Sequence, residues 1–297
     1  MVSFQLHSDV TLHAGVKRVD IRTHGVNTAR DHRLRVLMSL GAAVDLSKSE
    51  SAFCVVERPV AVDEVERGSA EPAVPEFPQQ SFTSVDAAGR GLTVANRGLS
   101  EASVLDDGLG TIALTLVRSV GYLSRGDLLT RIEGAGPLMP TPEAQMLGPI
   151  VAEYSIIPHA GSWSSARSHR SAHAFTTPLL SVELPGSRPL TDPWRRDPIG
   201  DGATLPSSAS LLEVDGELEL TAFKRAEERD ELVVRLLNES GEPRSARLRP
   251  RGRVHRARRL TLAEEPADTT GVSLSDGSIL VDAGPWELVT VGIGFDA

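Results

Sequence analysis

The sequence predicts an all-β protein built from antiparallel sandwiches. Short runs alternate apolar and polar residues with the period of a half-buried strand, and Gly, Pro, Asn and Asp separate the runs. No apolar stripe with helical spacing persists between a cap and a stop, so no long helix is expected, and only short helical turns fit the pattern.

The first strands fall at residues 10–13, 19–23 and 33–37, and further candidates lie at 91–95, 112–117, 151–157 and 179–184. Pro- and Gly-rich stretches at 67–78 and 185–206 punctuate the chain. The second stretch reads as a domain boundary, giving a large domain at 1–185, a linker at 186–206 and a small domain at 207–297. In the small domain, strands at 210–214, 218–224, 232–238, 246–249, 254–262, 279–281 and 287–293 match the size of a small sandwich. Residues 238–243 read as a turn between two paired strands, and Asp276-Gly277 reads as a hairpin turn.

A chain of 297 residues can bury two such cores. Its net charge of −9 argues against a nucleic-acid partner, whose phosphates demand a dominant basic surface. No apolar run reaches the roughly 20 residues of a membrane helix, so no membrane association is expected. The opening MVSFQLHSDVTLHAG has no secretory pattern, and the lone Cys54 rules out an internal disulfide, so a cytoplasmic location is expected.

Several residue groups have the types that chemistry needs. His169 and His173 have the spacing to share a helical face and a metal, but their Ser-rich surroundings do not read as a helix, and both are taken as structural. His7 and Asp9 are metal-ligand types two positions apart and read as a strand face. Arg247, Arg249, Arg251 and Arg253 alternate along a run that reads as a solvated face. Asp127 and Glu133 lie within reach of Arg125 and Arg131, but spacing alone defines no acid/base pair. A nucleophile elbow, a phosphate loop and a Cys/His zinc pattern are missing from the sequence.

The segments LTLVRSVGYLSRGDLLTRIEGAGP at 114–137 and EYSIIPHAGSW at 153–163 resemble bacterial family 38 glycoside hydrolases. NTARDHRLRVL at 27–37, FCVVERPV at 53–60, FPQQSFTSVDAAGRGLTVANRGL at 77–99 and TAFKRAEERDELVVRLLN at 221–238 are similar to the same family in the same order. The resemblance covers essentially the whole chain and points to the carboxy-terminal β-sandwich region of the α-mannosidases, without the amino-terminal catalytic domain. It implies a large galactose-mutarotase-like antiparallel supersandwich followed by a small β-sandwich.

The resemblance also implies hydrolysis of α-mannosidic bonds with retention in the assembled enzyme, through two carboxylates and a sugar-binding zinc. These belong to the catalytic domain, so no cofactor and no catalytic residue is expected within this chain, and activity on its own should be negligible. His7-Ser8-Asp9 has the bare His-x-Asp spacing of the family's zinc motif without its surroundings, and the zinc is not carried over. A loop of the large sandwich reaches the sugar in this family. That implies a substrate contact from Arg118, with Asp127 and Arg131 shaping the rim, against the alternative that Arg118 is buried and paired with a carboxylate. Strands are expected ahead of Phe4, so the large sheet should show an open edge suited to a catalytic domain or subunit, or to self-association. A carbohydrate-binding module or a noncatalytic structural remnant are the competing readings; stacking on a sugar would fall to Tyr122, Tyr154, Trp163, Trp194 or Trp286.

Overall fold

The computed structural model describes residues 3–62, 73–128, 134–181, 207–268 and 270–296. The chain forms two compact units, Met1–Pro178 and Leu179–Ala297. The expected linker at 186–206 lies outside the described residues.

In the first unit, the strands in chain order are β1 (Leu6–Leu12), β2 (Val19–Asn27), β3 (Arg33–Ser39), β4 (Leu46–Ser51), β5 (Cys54–Pro59) and β6 (Glu76–Pro78). β7 (Phe82–Ala87), β8 (Arg90–Asn96), β9 (Glu101–Leu105), β10 (Thr111–Arg118), β11 (Gly148–Ala160) and helix α1 (Ser168–Thr176) follow. They form a seven-stranded sheet in the order β1-β2-β11-β8-β7-β4-β5 and a four-stranded sheet in the order β3-β10-β9-β6. Period-2 alternation sends Val85, Leu92, Val94 and Tyr154 from the large sheet against Ile112, Leu114, Ala102 and Met38 of the small one, and this is the main core.

The opposite face of the large sheet is covered locally by α1. Its buried residues Ser168, His169, Ala172 and Phe175 lie along one side of the helix, and Ala172 and Phe175 pack with Phe82, Ala95, Ile157 and Trp163. The sequence reading of this stretch as non-helical is therefore corrected. The start carries no sign of a cap, since Arg167 enters in the left-handed region at φ 52° and gives no side-chain cap. Stability comes instead from the sheet and from Arg97, whose guanidinium donates to the Phe175 carbonyl at 2.9 and 2.6 Å and stacks on the Phe175 ring at 4.4 Å. A cation bonded to one of the last carbonyls suits the negative end of a helix.

Beside α1 a polar cluster sits between strands and helix. Thr93 Oγ1 donates to Ser84 Oγ at 2.8 Å, lies 2.7 Å from Ser168 Oγ and 3.0 Å from His159 Nε2, while His159 Nδ1 lies 3.1 Å from the Gly161 carbonyl. His159 is registered opposite Gly91, where a Cβ would sit 2.1 Å from its ring, so glycine here makes room for the imidazole. Burial, opposed by the bonds to Gly161 and Ala160, pushes the His159 imidazole below its ordinary value. A histidine with a depressed folded pKa favours the neutral form, so the unfolded chain binds the proton first on acidification. This unit is expected to lose stability as the pH falls through about 6.5, and His159→Gln should flatten that slope in denaturation curves taken from pH 7.5 to 5. Equal slopes in both proteins would remove His159 as the cause.

The second unit holds β12 (Leu212–Gly216), β13 (Glu219–Arg225), β14 (Leu232–Leu237), β15 (Arg244–Pro250), β16 (Val254–Leu260), β17 (Val272–Ser275), β18 (Ser278–Ala283) and β19 (Leu288–Phe295). Sheets β12-β15-β18-β17 and β13-β14-β19-β16 enclose Val234, Leu236, Leu248, Ile279, Val281, Val291 and Ile293. Asp276 and Gly277, at φ 51° and 72°, make the expected two-residue hairpin between β17 and β18. The stretch 238–243 is different from expectation: β14 pairs with β13 and β19, whereas β15 pairs with β12 and β18, so it crosses between sheets. A buried Asn238 makes the crossing possible by bonding backbone groups on both sides.

Of the strand expected at 179–184, residues 179–181 are not in a strand and the rest lies outside the described residues. Arg247 and Arg249 point outward from β15, and Arg251 and Arg253 lie exposed beyond it, as expected for a solvated face. Thus the all-β reading, a large supersandwich followed by a small sandwich, describes the chain.

Candidate functional site

Arg118 ends β10, and its orientation depends on one irregularity in the ladder. Ile112 and Leu114 point into the core, so uninterrupted alternation would turn Arg118 inward as well. The register against β3 shifts between Thr115 and Val117, and this bulge places Arg118 on the outer face with Thr115. Both bond one carboxylate: Thr115 Oγ1 donates to Glu101 Oε1 at 2.8 Å and Arg118 Nη1 donates to Glu101 Oε2 at 3.0 Å.

The same face carries a lattice of charge across the four-stranded sheet. Arg33 lies 2.6 Å from Glu76 and 3.7 Å from Glu101, and Arg35 donates to Ser103 Oγ at 3.3 Å. Arg118 remains 65% exposed at its end of this lattice. It is therefore paired with a carboxylate, as the structural alternative requires, but it is not buried. One oxygen of Glu101 orients the guanidinium while most of its donors face solvent, an arrangement that can bind hydroxyls or an anion.

The segment after β10 is pinned by residues distant in the chain. Asn27 Nδ2 donates to the carbonyls of Gln145 and Met146 at 3.1 and 3.0 Å, and Ser119 Oγ donates to Gln145 O at 2.8 Å. Gln145 in turn accepts from the Asp31 amide at 2.8 Å and donates to the Asp31 carboxylate at 2.9 Å. Asn27 and Gln145 are buried. Sequence reading missed these residues and Glu101 as supports; the only available sign was the polar stretch beginning at Asn27, which carries the resemblance.

Asp127 lies in this segment, held by two bonds from Arg125 at 2.8 and 2.5 Å. The Arg125 guanidinium holds the Asp127 carboxyl below its ordinary range, so the group stays ionised at neutral pH and is unsuited to act as a general acid. Arg125 also lies over the Tyr122 ring at 5.8 Å. Arg118 and Asp127 are thus oriented by different partners, and Arg131 lies outside the described residues.

His169 and His173 do share a helical face, with ring centroids 6.1 Å apart. His173 Nε2 lies 2.7 Å from Glu50 Oε1, and Ser81 bonds the other Glu50 oxygen. Burial alone would raise the Glu50 carboxyl; the bonds from His173 and Ser81 more than reverse this and hold it below its ordinary value.

The family model described as the glycosyl hydrolases family 38 C-terminal beta sandwich domain matches residues 217–291. A putative mannosylglycerate hydrolase of Halalkalibacterium halodurans is 28% identical over 287 residues, covering 96% of this chain and 28% of that protein. The crystal structure of an alpha-mannosidase from Enterococcus faecalis V583 superposes with a TM-score of 0.75 and 25% identity, over 99% of this chain and 29% of that one. A glycosyl hydrolase family 38 protein from Enterococcus faecalis gives 0.74 and 26%, over 99% and 30%. The chain is similar to the carboxy-terminal β-sandwich region of family 38 proteins, and it spans less than a third of the length of these relatives.

Proposed function

We propose that this chain is the noncatalytic sandwich portion of an α-mannosidase, supporting the catalytic domain and presenting Arg118 to the sugar. The observation that carries this reading is the bulge in β10, which turns Arg118 out of the core and leaves it exposed on a Glu101 anchor. An exposed guanidinium already oriented by a carboxylate loses little further freedom on binding a polar ligand. Asp127, neutralised by Arg125, shapes the rim, and Arg131 is assigned the same part from the resemblance. Zinc and the catalytic carboxylates come from the catalytic domain, and the assembled enzyme works in the cytoplasm. The open edge at β1, bonded only to β2 among the described strands, suits a companion domain or subunit.

A freestanding carbohydrate-binding module is the less favoured reading. Tyr154 and Trp163 are buried, which leaves Tyr122 and Trp286 as the exposed Tyr and Trp side chains among the described residues. The relative named for mannosylglycerate suggests a mannoside whose aglycone carries a carboxylate, for which an arginine is apt.

Arg118→Ala in the assembled enzyme is expected to lower kcat/KM by roughly 10–100-fold, the loss of one charge-assisted hydrogen bond of about 1.5–3 kcal/mol. Assays on a chromogenic α-mannoside and on mannosylglycerate test it, with circular dichroism confirming the fold. A role confined to the Glu101 lattice would leave both kcat and KM unchanged.

A further inference from the structure

A cleft of about 370 Å³ in the second unit is lined by Arg244, Ser245, Arg259, Thr270, Asp282 and Glu287. Its volume falls in the range of small-ligand sites. The lining side chains hold one another in place. Asp282 Oδ1 accepts from Ser245 Oγ at 2.6 Å, and Arg244 Nη1 donates to Glu217 at 2.6 Å. Arg259 donates to the Thr270 carbonyl at 3.0 Å and to Glu287. Asp282 Oδ2 and Arg244 Nη2 take no bond among the described residues, which leaves an acceptor and a donor for a ligand.

The charge of the cleft narrows the ligand. The carboxylates of Glu217, Asp282 and Glu287 outnumber the guanidiniums of Arg244 and Arg259, so an anion is disfavoured, and walls this polar do not suit an apolar molecule. A neutral molecule with vicinal hydroxyls fits: one hydroxyl donates to a carboxylate while its neighbour accepts from a guanidinium.

An exposed aromatic stands beside these groups. Gly284, Pro285, Trp286 and Glu287 form a turn closed by the Glu287 amide on the Gly284 carbonyl at 3.3 Å, and both end residues of the turn line the cleft. Trp286 has a φ of 57°, the left-handed region that the third position of such a turn ordinarily gives to glycine or asparagine. Its ring passes 3.9 Å from where a Cβ would sit at Gly241, yet the residue stays 44% exposed. Ser240 ties ring and cleft together: its carbonyl accepts from the Trp286 amide at 3.1 Å and its hydroxyl from Arg244 Nε at 3.3 Å. A flat ring beside hydroxyl-binding groups offers an apolar platform to the C–H face of a pyranose.

We propose that Trp286, Asp282 and Arg244 form a sugar-binding site on the small sandwich, additional to Arg118 of the first unit, which takes a neutral α-mannoside of a glycan chain. The choice of mannose among pyranoses rests on the function proposed above.

Native electrophoresis of the intact 297-residue chain through gels containing phosphate-free α-mannan tests the site. Retardation is expected, with a dissociation constant on the order of millimolar. It should weaken at least about tenfold in Trp286→Gly and about fivefold in Asp282→Ala. Glycine suits the backbone at Trp286 and Asp282 is exposed, so both variants keep the fold, which urea denaturation checks. Free migration of the parent chain, equal retardation of Trp286→Gly, or equal retardation by a neutral β-glucan overturns the proposal. Arg118→Ala should be retarded like the parent, and loss of retardation there would place the sugar elsewhere and overturn it too. Mannan binding without hydrolysis in the assembled enzyme would sink the function proposed above and leave this site standing; hydrolysis without mannan binding would do the reverse.

Discussion

Phe82→Ala lowers the stability of the first unit by about 3–5 kcal/mol, the cost of a deleted aromatic ring in a site that cannot collapse. Phe82 is fully buried and contacts elements that have no other reason to meet: its ring lies 6.0 Å from Trp163 and 6.2 Å from His173. Losing it removes the seat of α1 as well as its own burial energy. Urea denaturation followed by Trp163 fluorescence should show a large fall in midpoint, whereas Phe53→Ala at the exposed β4–β5 turn should change it by less than about 1 kcal/mol. Similar effects from both would contradict the placement of a second core on this face of the sheet.

Asn238→Leu destabilises the second unit by about 3 kcal/mol through a different mechanism, the abandonment of buried backbone groups. Its side-chain amide donates to Glu242 O at 2.8 Å and Gly284 O at 2.7 Å, and its oxygen accepts from the Ser240 amide at 3.0 Å and hydroxyl at 2.7 Å. Leucine matches the volume and supplies none of these bonds. Trp286, whose ring approaches Gly241 in the same turn, reports on the loss. Asn238→Asp should not recover it, since the second carboxylate oxygen would face the Glu242 and Gly284 carbonyls to which the amide donates. A leucine variant as stable as the parent would show that the crossing between sheets does not depend on this side chain.

What could be read from the sequence followed the physics of each element. β2, β11 and most strands of the second unit keep a polar and an apolar face over part of their length, so alternation exposed them, while β8 and β10 are buried on both faces and stood out as apolar runs between turn residues. β7 and β9 are buried with Ser and Thr among their residues, which hydrogen-bond across the structure as Thr83 does to Gln79, and their alternation is hidden. α1 lacked an N-cap signal, and one of its last carbonyls is bonded by Arg97, which follows β8. Arg118 was legible as a residue through the resemblance, but not as an outward one: that required the shifted register of β10 and β3. Its anchor Glu101 and the clamp of Asn27 on Gln145 join positions 17 and 118 residues apart, a pairing only the fold reveals.

The most direct test of the account is hydrolysis of a chromogenic α-mannoside, with added zinc, by this chain alone, by the amino-terminal portion of a family 38 relative alone, and by the two together. Activity that appears only in the mixture, or rises strongly there, is the predicted result and would establish the chain as the supporting sandwich of the enzyme. Hydrolysis by the chain alone would contradict it, as would a mixture no more active than the amino-terminal portion.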